Sequence, residues 1–259
     1  MRKRKSSIYD QIAPWLIPIT LLFGWQVLSV TGWISGNILP SPLEVVNAGI
    51  VVTGSGELWI NIWVSFLRAF IGFVIGGGIG LLLGLLNGIY PFAEKHLDTT
   101  VQMFRNIPHL ALIPIVILWF GVGEEAKIFL VAIGVFFPVY INTYHGIRSV
   151  DKGLIEMGSV YRLSEWNLFS KVIFRGALPS ILVGIRYALG VMWLTLIVAE
   201  TVAATSGIGY MAMNAREFMQ LDVVVLAILL YAVLGKVADS LAKLLERRLL
   251  KWNAIYQKK

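Results

Sequence analysis

A chain of 259 residues with 57% apolar side chains, 14% charged side chains and a mean hydropathy of +0.75 does not have water as its main solvent, since an ordinary soluble domain carries about a quarter charged residues. Its apolar residues run in blocks of about 20, with neither strand alternation nor an amphipathic stripe, and that is the length of a helix that crosses a bilayer. The lack of cysteine excludes disulfide frameworks, thiolate zinc sites and cysteine nucleophiles, and the net charge of +7 gathers at the ends of apolar blocks, where it meets lipid headgroups rather than nucleic acid.

In chain order, a basic start (Met1-Arg2-Lys3-Arg4-Lys5) precedes an apolar run from Pro14 to about Trp33. That run has no Ala-x-Ala cleavage pattern, so it reads as a retained first span and not as a signal peptide. Six membrane helices are predicted near 14–33, 70–90, 100–121, 127–147, 181–204 and 223–243, which makes the chain an all-α polytopic membrane protein. Residues 1–57 read as a cytoplasmic start, a first span and an outer loop, and 58–259 as a core. Three basic segments should share the cytoplasmic side: the start, the 148–180 loop (Arg148, Lys152, Arg162, Lys171, Arg175) and the tail (Lys243, Arg247, Arg248, Lys251, Lys258, Lys259). An even number of spans permits this and leaves both termini cytoplasmic. The stretch from Leu58 to Tyr90 would be about 50 Å long as one helix, too long for one crossing, so Trp59 to Arg68 is expected along the outer interface.

Gly72, Gly76, Gly80, Gly84 and Gly88 recur every fourth residue and form one helix ridge where another helix can approach closely, either for tight packing or for sliding during transport. Pro108 and Pro114 interrupt the third span and free backbone carbonyls at membrane depth, which is tolerated only against protein or a wet cavity. Arg68, Arg105, Arg186 and Glu200 are ionisable residues near span ends, suited either to a polar pathway or to headgroup snorkelling. Arg105, His109, Asn142 and Glu200 are the candidates to line a translocation pathway. Gly207-Ile208-Gly209-Tyr210-Met211-Ala212 matches a dinucleotide fingerprint by letter but follows a membrane helix instead of a strand, and reads as an outer turn. Gly235-Lys236 is followed by Val237, so the chain has no phosphate-binding loop and no ATP site of its own. His96, His109 and His145 lack the spacing of a metal site, and Glu124-Glu125 reads as a solvated outer turn. No catalytic cluster emerges, and no cofactor is expected on this chain.

The 150–180 loop is polar yet keeps helical spacing, as in Leu154-Ile155-Glu156-Met157 and Trp166-Asn167-Leu168-Phe169. It reads as two short amphipathic helices separated by a turn, a surface on which a cytoplasmic partner could dock. Glu156-Met157-Gly158-Ser159-Val160-Tyr161-Arg162, followed by Val172-Ile173-Phe174-Arg175 and Ala177-Leu178-Pro179, resembles the coupling motif of bacterial ABC importer permeases: Glu-Ala-Ala, three residues, Gly, nine residues, Ile-x-Leu-Pro. Arg162 stands where that family has a turn glycine, and Phe174-Arg175 where it has Leu-Pro. If the turn needs φ > 0, the non-glycine residue costs about 1 kcal/mol or more. Ile107-Pro108-His109-Leu110-Ala111-Leu112-Ile113-Pro114, Trp119-Phe120-Gly121-Val122-Gly123, His145-Gly146-Ile147-Arg148, Gly190-Val191-Met192-Trp193-Leu194-Thr195 and Ala212-Met213-Asn214-Ala215-Arg216-Glu217-Phe218 resemble the aliphatic sulfonate branch of that family, with taurine, nitrate or bicarbonate, and pyrimidine-precursor permeases as close relatives.

The resemblance implies a type I importer in the bacterial inner membrane. Its parts would be two copies of this chain, two cytoplasmic ATPase subunits that bind ATP and Mg²⁺, and an external substrate-binding protein. It implies coupling by residues about 153–165, with Glu156, Met157, Gly158, Ser159 and Arg162 at the ATPase and Leu178-Pro179 ending the loop before span five. A secondary transporter would instead be expected to show repeats, paired broken helices or a buried carboxylate couple.

Overall fold

The computed structural model describes residues 8–36 and 38–253, and among them no strand forms. Ten helices follow one another: α1 (Ile8–Val30), α2 (Pro42–Gly54), α3 (Glu57–Ile89), α4 (Pro91–Arg105), α5 (His109–Phe120), α6 (Glu124–Arg148), α7 (Lys152–Val160), α8 (Glu165–Val202), α9 (Ile208–Glu217) and α10 (Leu221–Leu249). The basic start, Arg2 to Lys5, and the tail residues Lys258 and Lys259 lie outside the described residues.

Helices α3, α6, α8 and α10 are each long and apolar enough to cross a membrane, and α4 with α5, bent by 81°, has the form of a broken span or a re-entrant loop. Helix α1 is continuously apolar only over the shorter segment Leu16–Val30. Against the expected six spans, the described residues hold four continuous ones, or five if the bent pair is one crossing. The predicted span 100–121 is the broken one. Pro108 has no N–H to donate and sits in extended backbone (φ −60°, ψ 111°), so the chain leaves α4 and restarts as a 3₁₀ turn over His109–Leu112.

Two other expectations are corrected. The segment 34–57 is not merely a loop, because Ser41 caps α2 through a reciprocal pair of bonds: Glu44 N–H donates to Ser41 Oγ, and Ser41 N–H donates to the Glu44 carboxylate. Trp59 to Arg68 does not lie apart along the outer interface. It is the first third of an unbroken α3, whose Trp59 and Trp63 face outward while Asn61, Ser65 and Arg68 are buried.

Helix α6 lies between α3 and α8, and the main core includes Val131, Val135 and Val139 of α6 with Met192, Trp193 and Leu196 of α8. The glycine ridge of α3 is covered by successive turns of α6. A Cβ on Gly72 would meet Val131, one on Gly80 the Phe136 carbonyl, one on Gly84 Thr143, and one on Gly88 Ile147. A second set of close approaches joins α6 to α8, where Gly146 meets Ser180 and Gly184 meets Asn142 and the Pro138 carbonyl. Pro138 lies within α6, and Asn142 Nδ2 donates to its carbonyl at 2.8 Å.

Candidate functional site

The α7 segment leaves the bundle at the end of α6 and is fixed locally. Asp151 caps it by accepting from Gly153 N–H at 2.8 Å. At its other end Leu163 N–H donates to the Gly158 carbonyl at 3.1 Å and Arg162 N–H to the Ser159 carbonyl at 2.9 Å, the paired bonds of a Schellman turn. That turn needs a left-handed residue, and Arg162 supplies it at φ +56°. Gly158 is buried, and a Cβ there would lie 2.6 Å from Leu168 Cδ1, so the glycine lets α7 close onto the start of α8. Ser159 bonds back to the Ile155 carbonyl. Outward stand Glu156 and a set of apolar side chains, Met157, Val160, Tyr161 and Trp166, the last three at least 72% exposed. These side chains make the exposed face of the loop apolar.

The second amphipathic helix expected in this loop is not separate. It continues through a π-turn at Phe169–Ile173 into the membrane as α8, and Leu178 and Pro179 lie inside that helix instead of ending the loop. One continuous helix, Glu165–Val202, therefore runs from the exposed loop into the bundle. Arg162→Gly should relieve the left-handed strain and stabilise the loop by about 1 kcal/mol. Slower proteolysis at 158–165 of the detergent-solubilised protein is the expected readout, and unchanged cleavage would show that the turn is unstrained.

At the far end of the bundle, where α6 begins, a polar network joins five helices, α3, α6, α8, α9 and α10, and the turn before α9. Arg68 of α3 donates to Glu124 through Nε (2.5 Å) and Nη2 (2.6 Å), to Glu200 of α8 through Nη1 (2.7 Å), and to the carbonyl and hydroxyl of Ser206. Glu200 accepts in addition from Ser65 Oγ, from Gly209 N–H and from Tyr231 Oη of α10. Asn61 accepts from Gly207 N–H, and Ser65 from Ile208 N–H. The start of α9 is held by these bonds. Gly207 has φ +107°, and a Cβ there would sit 2.4 Å from Glu200 Oε1; one on Gly209 would meet the Glu200 Cβ. The Gly-Ile-Gly letters thus serve close approach to a carboxylate, not a nucleotide. Glu124 is exposed, as expected, but it opens α6 and is also a partner of Arg68 and, at 3.5 Å, of Lys127.

Among the described residues no hydrogen bond or ion pair links any two of the four residues expected along a pathway. Arg105 is exposed at the end of α4. His109 Nε2 is 2.9 Å from Thr195 Oγ1 of α8, which pins the bend of the broken span. Asn142 bonds its own helix, and Glu200 is 1% exposed inside the network. Arg186 pairs with Asp239 of α10 at 2.6 Å. Missed by sequence reading were Asn61, Ser65, Lys127 and Tyr231, and also the tyrosines of α6 that hold α4: Tyr140 donates to Asp98 and Tyr144 to Glu94. Their signal was weak, since a lone polar residue in an apolar block carries no mark of its partner. Among the described residues no cluster of three or more His, Asp or Glu side chains is placed to hold a metal ion.

Residues 76–251 match the family model described as "Binding-protein-dependent transport system inner membrane component". The chain is 60% identical to the aliphatic sulfonates transport permease protein SsuC of Escherichia coli K12, over 96% of this chain and 95% of that protein. It is 46% identical to the protein of that name in Bacillus subtilis 168, over 93% and 88%, and 33% identical to the taurine transport system permease protein TauC of E. coli K12, over 92% and 88%. Among solved structures, an amino acid ABC transporter crystallised with histidines superposes with a TM-score of 0.63 at 18% identity, covering 76% of this chain and 96% of that one. The inward-facing MetNI methionine ABC transporter superposes with a TM-score of 0.52 at 21% identity, covering 73% and 94%. The helical bundle therefore has the type I ABC importer permease fold, and the chain belongs to the family of binding-protein-dependent transport system inner membrane components, as a multi-pass permease.

Proposed function

We propose that this chain is the permease of an ATP-driven importer that carries aliphatic sulfonates across the inner membrane. The observation that carries the reading is 60% identity along nearly the whole chain to a permease named for aliphatic sulfonates, against 33% to one named for taurine. Two copies of the chain would enclose the pathway, an external binding protein would deliver the substrate, and two ATPase subunits holding ATP and Mg²⁺ would supply the energy. The termini and α7 would face the cytoplasm.

In this reading α7 enters a cleft on the ATPase, with Glu156 and the apolar patch around Met157 as the contact. ATP-driven closure of the ATPase pair would move α7, and the unbroken α8 would carry that displacement into the bundle as a rigid-body switch. The glycine-backed contact of α3 with α6 would hold each permease together while the two move relative to one another. Arg105 and His109, near the bend of the broken span, would be the first places to look for contacts with the passing anion.

The test is growth of a strain lacking its own sulfonate permease on ethanesulfonate as sole sulfur source, complemented by this chain together with its ATPase and binding protein. Wild type should restore growth. Glu156→Ala should reduce uptake by about tenfold at equal membrane levels, the effect of losing one central contact at an interface. Failure of wild type with all partners present, or growth on taurine but not on ethanesulfonate, would reject the substrate assignment.

A further inference from the structure

Around Arg68 the network has one replaceable member. Glu124 sets both carboxylate oxygens against one edge of the guanidinium, at 2.5 Å from Nε and 2.6 Å from Nη2, and lies 3.5 Å from Lys127 Nζ. Arg68 and Lys127 are 2% and 3% exposed, whereas the Glu124 side chain is 53% exposed. Two desolvated cations are therefore capped from the surface by a carboxylate that itself stands in solvent. Glu200 is different, because Ser65, Gly209 N–H and Tyr231 hold it in place from three sides.

A planar guanidinium edge that grips two oxygens of one anion accepts a sulfonate as readily as a carboxylate. If Glu124 withdraws, Arg68 keeps Glu200 and Ser206 and Lys127 keeps the Val122 and Gly123 carbonyls, while the Nε–Nη2 edge of Arg68 is left open to another anion. Glu124 follows the short turn Gly121-Val122-Gly123, whose Val122 and Gly123 carbonyls accept from Lys127 Nζ at 3.3 and 3.1 Å, so Glu124 would leave by swinging its half-exposed side chain and not by moving the turn. Beside the network lies a cavity of about 290 Å³ whose lining includes Val122, Glu200, Tyr210, Asn214 and Glu217. Neither Arg68 nor Lys127 lines that space, so the seat for an anion is the solvent-facing edge of Arg68 that Glu124 now covers.

We propose that Arg68 and Lys127 form an organic-anion site that the chain's own Glu124 occupies in this conformation, and that a sulfonate takes the place of Glu124 at the end of the bundle opposite α7. The inference rests on the sulfonate reading above and gives it a contact within the permease. Glu124 is then a surrogate ligand: it keeps the cations neutralised between transport events and leaves when substrate arrives.

The experiment uses the assembled transporter in lipid nanodiscs, with ethanesulfonate as probe and chloride at equal ionic strength as control, read by thermal stabilisation. Glu124→Gln keeps the shape of the cap and removes its charge, and its half-maximal ethanesulfonate concentration should fall by about tenfold relative to wild type. Adding Lys127→Met should return it to the wild-type value. Glu124→Asp, which keeps the charge but shortens the reach, is the second variant in case Glu124→Gln does not assemble, and should give a smaller shift of the same sign. Equal stabilisation by chloride, or no shift in either variant, overturns the proposal. Uptake of ethanesulfonate by wild type separates the two readings. Uptake without a selective shift removes the site and leaves the importer, while a selective shift without uptake leaves an anion site and removes the sulfonate importer.

Discussion

Gly76→Ala is expected to keep α3 and α6 from closing and to cost about 3 kcal/mol, enough to deplete the protein from the membrane. A Cβ at position 76 would lie 2.0 Å from the Ala132 carbonyl oxygen and 2.7 Å from its Cα, so the obstacle is helix backbone, which cannot rotate aside. The helices would have to separate along the whole ridge, and the contacts at Gly72, Gly80 and Gly84 would loosen with it. Gly78→Ala is the control: nothing lies within 4 Å of a Cβ there, and alanine's better helix propensity should leave stability unchanged or raise it by up to about 1 kcal/mol. Melting temperatures of the two solubilised variants, with membrane levels by blotting, decide the matter. Equal behaviour of the pair would mean that the ridge does not carry the α3–α6 contact.

Glu200→Ala is the second large effect expected, about 3–5 kcal/mol, because it removes one partner of a buried ion pair and leaves the other charge behind. Arg68 would keep Glu124 and Ser206 but lose its innermost acceptor, while Gly209 N–H and the Tyr231 hydroxyl would lose theirs. The start of α9 should then loosen, seen as faster amide exchange over 207–212. Glu200→Gln retains an oxygen acceptor and should cost less, about 1–3 kcal/mol. If alanine and glutamine prove equally mild, Glu200 is not holding α9 in place.

These two sites differ in how much of them can be read along the chain. The glycines of α3 declare themselves by their period of four, which places them on one ridge whatever the rest of the molecule does. Their partner is another matter, since nothing in 124–148 marks Ala132 as the residue that meets Gly76. The charge network has no period at all. Arg68 and Glu200 stand 132 positions apart, and Arg68 and Glu124 stand 56 apart. Each looks alone like a charge at the end of a span, and snorkelling is then the natural reading. The capping of α2 is legible in Ser41-Pro42-Leu43-Glu44, a serine with a glutamate three residues on, although the segment as a whole reads as an outer loop. The prolines of 105–114 announced an interruption, but not that the two halves meet at 81° with His109 tied to Thr195.

By itself the sequence determined the solvent of this protein and the helical state that the solvent imposes, because long apolar blocks in a bilayer must satisfy their backbone bonds within each segment. It also determined the ridge of α3 and, through the spacing of Leu154-Ile155-Glu156-Met157 and Trp166-Asn167-Leu168-Phe169, a polar helical loop. Only the tertiary structure decided which helix covers the ridge, that α8 runs unbroken from the loop into the bundle, and that Arg68, Glu124 and Glu200 share one buried site. The physical reason is the same in each case: local pattern fixes what a segment is, while pairing between distant segments depends on shape and charge that no single stretch of chain contains.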